Sequence, residues 1–343
     1  MLAANTPTDL ASLAESSSAA AVSLYNYPGP PTRWVCYIFV VLFGVSSACH
    51  GIQTLRYRLW WLLPTVNLAA IAETLGWSMR LASTYDPTAR MPFIIQTTVI
   101  VLAPTPYIAA IFIIFSRITE RMGVQYTRLP PRWYSRIFLS CDIISLFIQG
   151  GGGGIASSAA SGDHPDPSKS KLGGTIMLVG IIFQLISIIA FITLALEFYV
   201  RFFNDLPFRR AVAPVPIARG THTSELRQHQ PSDRAGTKRN WTWRLKALTA
   251  GMTLIMTCIF IRSVYRSIEL QNGWDGPIAR TQVLFNVLDG AMLVISLYML
   301  NICHPGWLLF SEDTYNIDRG DAIALEDRHA PQSPSRTKLL HRP

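Results

Sequence analysis

Apolar residues in this chain come in runs of about twenty, separated by short segments rich in Arg, Pro and Gly. A helix needs roughly 20 such residues to cross a hydrocarbon core of ~30 Å. The runs predict seven spans: about Trp34 to Gln53, Leu59 to Met79, Pro92 to Ser116, Tyr134 to Gly150, Gly173 to Phe203, Leu245 to Ser267 and Gln282 to Cys303. Five consecutive glycines, Gly150 to Gly154, are expected to end the fourth span or loosen its last turn. Close helix contact ranks ahead of a flexible outer gate as their use. The fifth span is longer than a crossing requires and should tilt or project into the cytosol. The seventh stops before Pro305, which cannot continue a helix. The expected fold class is all-α, a polytopic seven-transmembrane-helix bundle.

The segments around the spans differ in character. Residues 1–33 are rich in Ser, Ala, Thr and Pro and read as a disordered tail, with no basic segment leading into an apolar one and so no signal peptide expected. The transmembrane domain then covers residues 34–303, interrupted by a Pro-, His-, Gln- and Arg-rich linker at 204–243, and a second tail covers 304–343. Charge sets the orientation. Of the 30 Lys and Arg residues, 22 fall in the first, third and fifth connections and the C-terminal tail. The richer side is cytosolic by the positive-inside rule, which places the N-terminus outside and the C-terminus in the cytosol. The sequon Asn240-Trp241-Thr242 then lies on the cytosolic side and should carry no glycan.

Composition narrows the classes further. Half of the residues are hydrophobic and 15% are charged, against about a quarter charged in a soluble domain. The net charge of +9 does not indicate a nucleic-acid partner, because the bases lie between apolar spans rather than on a soluble basic face. Membrane lipids are the expected surroundings. Cys36, Cys49, Cys141, Cys258 and Cys303 all lie in apolar spans, without disulfide or metal spacing. His50, His164 and His304 are single and compose no metal site. No Walker A sequence is present, the seventh span has no lysine for a Schiff base, and Asp142 and Asp289 lack the Gly-x-Gly-Asp setting of intramembrane aspartyl proteases. Neither a cofactor nor an enzymatic activity is expected.

Ionisable side chains inside spans cost on the order of 2.5–3.5 kcal/mol each to insert and mark function by default. Here their spacing is ordered. Glu73, Gly76 and Arg80 share one helical face, Asp142, Ser145 and Gln149 repeat that spacing, and Arg262, Tyr265, Arg266 and Glu269 follow it in the sixth span. The third span adds Gln96 and the pair Pro104 and Pro106, the fifth Gln184, and the seventh Gln282, Asn286 and Asp289. The directions of the spans place Glu73, Arg80, Asp142, Gln149, Arg262, Arg266, Glu269 and Asp289 in the outer half of the bundle. Pairing between acids and bases can keep them charged there. A ligand cavity is preferred over ion pairs that only fix helix register. Glu197, near the cytosolic end of the fifth span, reads as an interfacial contact.

These residues resemble the fungal lipid-translocating exporter family, the RTA-like proteins, from Tyr25 to about Trp307. The resemblance is carried by Tyr25 and Pro28, Glu73-x-x-Gly76-Trp77-x-x-Arg80, Gln96, Ala103-Pro104 and Ala109-Ala110. It continues through Phe138, Asp142, Ser145, Gln149 and the glycine run, then Gly180 and Gln184. Arg262-x-x-Tyr265-Arg266-x-x-Glu269, Asp289 and His304-Pro305 complete it. Gln282 stands where a glutamate is expected, and Trp77 where tyrosine is more usual. The resemblance implies a seven-helix protein of the plasma membrane or another fungal membrane. It further implies translocation of amphipathic lipids such as sphingoid long-chain bases or sterol-like amines, with porphyrin transport as an alternative. A receptor-like lipid sensor is the other reading, although the acid-Arg-aromatic and Asn-Pro-x-x-Tyr motifs of common receptors are missing.

Overall fold

Inside hydrocarbon a crossing segment has to satisfy its own backbone donors and acceptors, which a helix does within one chain. The computed structural model describes residues 31–86, 89–161, 166–208, 241–271, 278 and 281–310, and among these the regular structure is entirely helical. Helix α1 (Arg33–Tyr57) leads into a 3-10 turn (Trp60–Leu62), a π turn (Leu63–Asn67) and α2 (Leu68–Ala82). Helices α3 (Arg90–Leu102), α4 (Pro104–Met122), α5 (Pro131–Ser161), α6 (Pro167–Phe203) and α7 (Trp243–Gln271) follow. The last run consists of α8 (Gln282–Leu284), a π turn (Phe285–Ala291) and α9 (Met292–Ile302), and a final π turn covers Gly306–Phe310. The expected N-terminal tail, most of the linker with its sequon asparagine, and the C-terminal tail beyond 310 lie outside the described residues.

Among the described residues six runs are long and apolar enough to cross a membrane: Arg33–Tyr57, Met91–Met122, Pro131–Ala156, Ser168–Phe203, Trp243–Gln271 and Gln282–Leu309. The predicted second span is a composite, and its α-helical part has 15 residues. Pro64 lacks a backbone N–H, and the chain absorbs the gap in the π turn around it.

The burial pattern is inverted relative to a water-soluble protein. Phe147 is 75% exposed and Ile52 67%, whereas Glu73, Asp142 and Asp289 are buried. Apolar side chains outward and charges inward fit a lipid surround. The chain is an integral membrane protein.

The fourth predicted span needs correction. Instead of ending at the five glycines, α5 continues through them to Ser161. Glycine costs about 1 kcal/mol in a helix relative to alanine, and here it permits backbone contact with α6. A Cβ on Gly152 would stand 2.5 Å from the Met177 nitrogen and 2.7 Å from the Gly173 oxygen. One on Gly173 would strike the backbone of Ala156. The expected close contact is therefore present without the expected termination. Towards the other end of this pair, Phe112 and Phe115 of α4 interlock with Phe138 of α5 and Phe191 of α6, with ring centroids 4.5–5.3 Å apart.

Candidate substrate-binding site

Two prolines shape the centre. Pro104 cannot donate to the carbonyl of Ile100, and the third span breaks there into α3 and α4. The freed Ile100 oxygen accepts a hydrogen bond from Arg262 Nη2 at 2.9 Å. Gly76 brings α2 close to the same turn, since a Cβ there would lie 2.5 Å from Ile100 Cγ1. A backbone group without a partner in its own helix thus anchors a buried cation.

Around that anchor lies an ionic cluster. Arg262 Nε is 3.0 Å from Asp289 Oδ1. Arg266 clamps the same carboxylate with Nε at 2.6 Å from Oδ1 and Nη2 at 2.9 Å from Oδ2. Its Nη1 donates to Glu269 Oε2 at 2.9 Å, and the Tyr265 hydroxyl donates to Glu269 Oε1 at 3.2 Å. Both arginines are 6% exposed and Asp289 is 1% exposed. The two-pronged geometry suits guanidinium and carboxylate planes. The π turn Phe285–Ala291 carries Asp289, and its Phe285 ring sits 4.4 Å from Arg80 Cζ and 4.9 Å from Arg266 Cζ. Arg80 also lies over Trp77, which stacks on Phe39 at 4.1 Å.

Glu73 completes this cluster differently. It is fully buried and electrostatically coupled to Arg262, Asp289 and Arg266. The Trp77 indole is a polar neighbour, yet neither carboxylate oxygen closes a hydrogen bond among the described residues. A buried polar atom without a partner costs about 1–3 kcal/mol, and more when charged.

A second polar set lies between α4, α5 and α6. Gln149 Nε2 donates to Gln184 Oε1 at 3.0 Å, and Gln184 Nε2 reaches Thr105 Oγ1 at 3.5 Å. Gly180 admits the Gln149 stem, which a Cβ there would meet at 2.7 Å. Asp142 faces Gln184 and is 1% exposed, but among the described residues neither of its carboxylate oxygens completes a hydrogen bond. Ser145 bonds back to the Asp142 carbonyl at 2.8 Å. Gln96, buried on α3, has an amide oxygen without a hydrogen-bond partner among the described residues.

All eleven predicted site residues (Glu73, Arg80, Gln96, Asp142, Gln149, Gln184, Arg262, Tyr265, Arg266, Glu269 and Asp289) are buried. Their bonds fall into two groups rather than the single convergence expected. Gln282 opens α8 ahead of the cluster. Glu197, expected as an interfacial contact, holds Arg128 at 3.0 Å and Arg201 at 2.9 Å near the end of α6.

Sequence reasoning missed three participants. Phe285 lies four residues before Asp289, a spacing that marks a shared face. The Ile100 carbonyl was signalled by Pro104. The third is a polar seam joining α1 to α9 at the other end of the bundle. There Gln53 donates to the Asn301 carbonyl at 2.9 Å and Asn301 to Ser46 at 2.8 Å. His304 stacks on Tyr57 with ring centroids 5.2 Å apart, and its Nδ1 accepts the Gly306 N–H at 3.1 Å. Ser46, His50 and Gln53 follow i, i+4, i+7 spacing, which was the available signal.

The family described as RTA1 like protein matches residues 66–312. A sphingoid long-chain base transporter, RSB1, of Saccharomyces cerevisiae is 27% identical over 316 residues, covering 90% of this chain and 78% of the relative. Protein RTA1 of the same yeast is 27% identical, covering 82% of this chain and 84% of the relative. Its protoporphyrin uptake protein 1 is 23% identical, covering 81% and 91% respectively. No solved structure matches the chain.

Proposed function

The chain belongs to the RTA1 like protein family, and on that premise we propose that it is a membrane transporter of amphipathic lipids with a cationic head, sphingoid long-chain bases foremost. The observation that carries this reading is the pair of buried acids, Glu73 and Asp142, whose carboxylates complete no hydrogen bond among the described residues while the bases beside Glu73 are engaged by Asp289 and Glu269. An ammonium head supplies the missing donors and charge. The arginines suit a phosphate or carboxylate less, because protein carboxylates already hold them. This favours an amine over the propionates of a porphyrin. The name of the yeast sphingoid-base transporter supports the same class.

The proposal includes seven crossings, with the Trp60–Ala82 composite as the second, an outside N-terminus, a cytosolic C-terminus and residence in the plasma membrane. The charge bias of the connections supports the orientation. No enzymatic step is required. In the proposed mechanism the head is passed between the two acids while the tail stays in lipid, as a floppase would do.

The test is leaflet exchange of a fluorescent sphingoid base in proteoliposomes, with and without a pH gradient. Transport by the native chain and its loss in Asp142→Asn, at unchanged expression and thermal stability, is the expected result. Native rates in that variant would remove Asp142 from the site. No transport by folded native protein would overturn the carrier reading in favour of a lipid sensor.

A further inference from the structure

We infer that the lipid-facing groove between α7 and the start of the last span holds the alkyl chain of the transported amphiphile while its head passes Tyr265 into the cluster beside Glu73. This rests on the transporter reading and adds to it a lateral opening between the site and the bilayer. The groove has a volume of about 330 Å³ and is walled by Phe260, Val264, Tyr265, Ile268, Leu284 and Leu288, among other apolar residues. At ~30 Å³ for a water-sized unit, which is close to a methylene, that space holds on the order of ten carbons. A long single chain would fill it and extend into the bilayer.

Two features separate this groove from an ordinary lipid-facing crevice. Tyr265 contributes the phenol of an otherwise apolar wall, and its hydroxyl points inward to Glu269 at 3.2 Å. Glu269 is bonded to Arg266, which clamps Asp289. One side chain therefore belongs both to the apolar wall and to the ionic cluster. The opposite wall, Leu284 and Leu288, flanks or sits on the π turn that carries Asp289. Such turns occur frequently at functional sites. A molecule with a saturated chain and an amine matches the sequence of surfaces from lipid to carboxylate. A neutral acyl chain matches only the first.

A sphingoid base with a photoreactive diazirine in its chain, bound to the full protein in lipid nanodiscs, tests this directly. After illumination, adducts should concentrate on the groove residues and be competed by unlabelled sphingoid base. Adducts spread evenly over lipid-facing positions such as Phe147 and Ile186, or groove adducts that resist competition, would overturn the inference. Val264→Trp should reduce groove labelling roughly tenfold, the loss expected when about two methylenes no longer fit. Leu288→Trp, on the opposite wall, should do the same. If the native chain transports and both folded variants transport at native rates, the groove assignment fails while the transporter reading stands. If neither variant folds, the adduct map on the native chain decides.

Discussion

Asp289→Asn keeps the shape of the central side chain and removes its charge, which leaves Arg262 and Arg266 facing an amide. Removing one partner of a buried ion pair costs about 3–5 kcal/mol. The lower end applies here, because Arg262 retains the Ile100 carbonyl and Arg266 retains Glu269. A loss of about 3 kcal/mol corresponds to a fall of roughly 6–12 °C in Tm for a domain of this size. The assay is thermal unfolding in detergent, read with a thiol-reactive dye that reports exposure of the buried Cys36, Cys258 and Cys303. The double variant Asp289→Asn with Arg262→Gln removes the uncompensated charge and should recover about 1 kcal/mol, the coupling expected of contacting residues. A single-variant loss below about 0.5 kcal/mol, typical of a surface substitution, would refute the buried ionic cluster.

Other expectations follow from single contacts. Gly152→Ala should sharply reduce monodisperse folded protein on size exclusion, because the new methyl meets only backbone of α6. Gly150→Ala and Gly151→Ala meet nothing within 4 Å and should be neutral or stabilise by about 0.5–1 kcal/mol. Asn240 should show no glycosidase-sensitive gel shift, and a glycan there would reverse the proposed topology. Asp166 caps α6 by accepting from the Ser168 and Lys169 amides at 3.0 and 3.2 Å, and the Lys169 amide above all holds its carboxyl below the usual range. A lowered folded pKa gives a contribution present above the unfolded value of about 3.9 and lost as pH falls through the folded one. Hydrogen exchange in the first turn of α6 should therefore rise at neutral pH in Asp166→Ala, whereas the native turn should loosen only in acid.

Six of the spans were legible as long helices because lipid imposes a length and tolerates few charges, so apolar runs translate almost directly into helices. The charged faces were legible for a similar reason: Arg262, Tyr265, Arg266 and Glu269 declare one side of a helix by spacing alone. Their partners were not. Which carboxylate meets Arg262 depends on the rotation of α7 against the last span, and the π turn at Phe285–Ala291 resets that rotation locally. The glycine run misled because its penalty is intrinsic to the helix, while its compensation comes from α6, a separate part of the sequence. The polar face of Asp142 could be read from spacing, but its position beside Gln184, with Asp289 and Glu269 bonded elsewhere, depends on how four helices pack.

The buried charges also constrain how the protein is made. In the proposed seven-span topology Glu73 enters the membrane with the second span, while Arg262 is still about 190 residues from synthesis, a wait of roughly 10 to 40 s at ordinary elongation rates. During that interval the early helices hold a carboxylate whose eventual counter-charges do not yet exist. The nascent bundle is a substrate for membrane quality control until α7 and the last span arrive. Truncations before Arg262 should therefore be degraded even though every span they contain is intact.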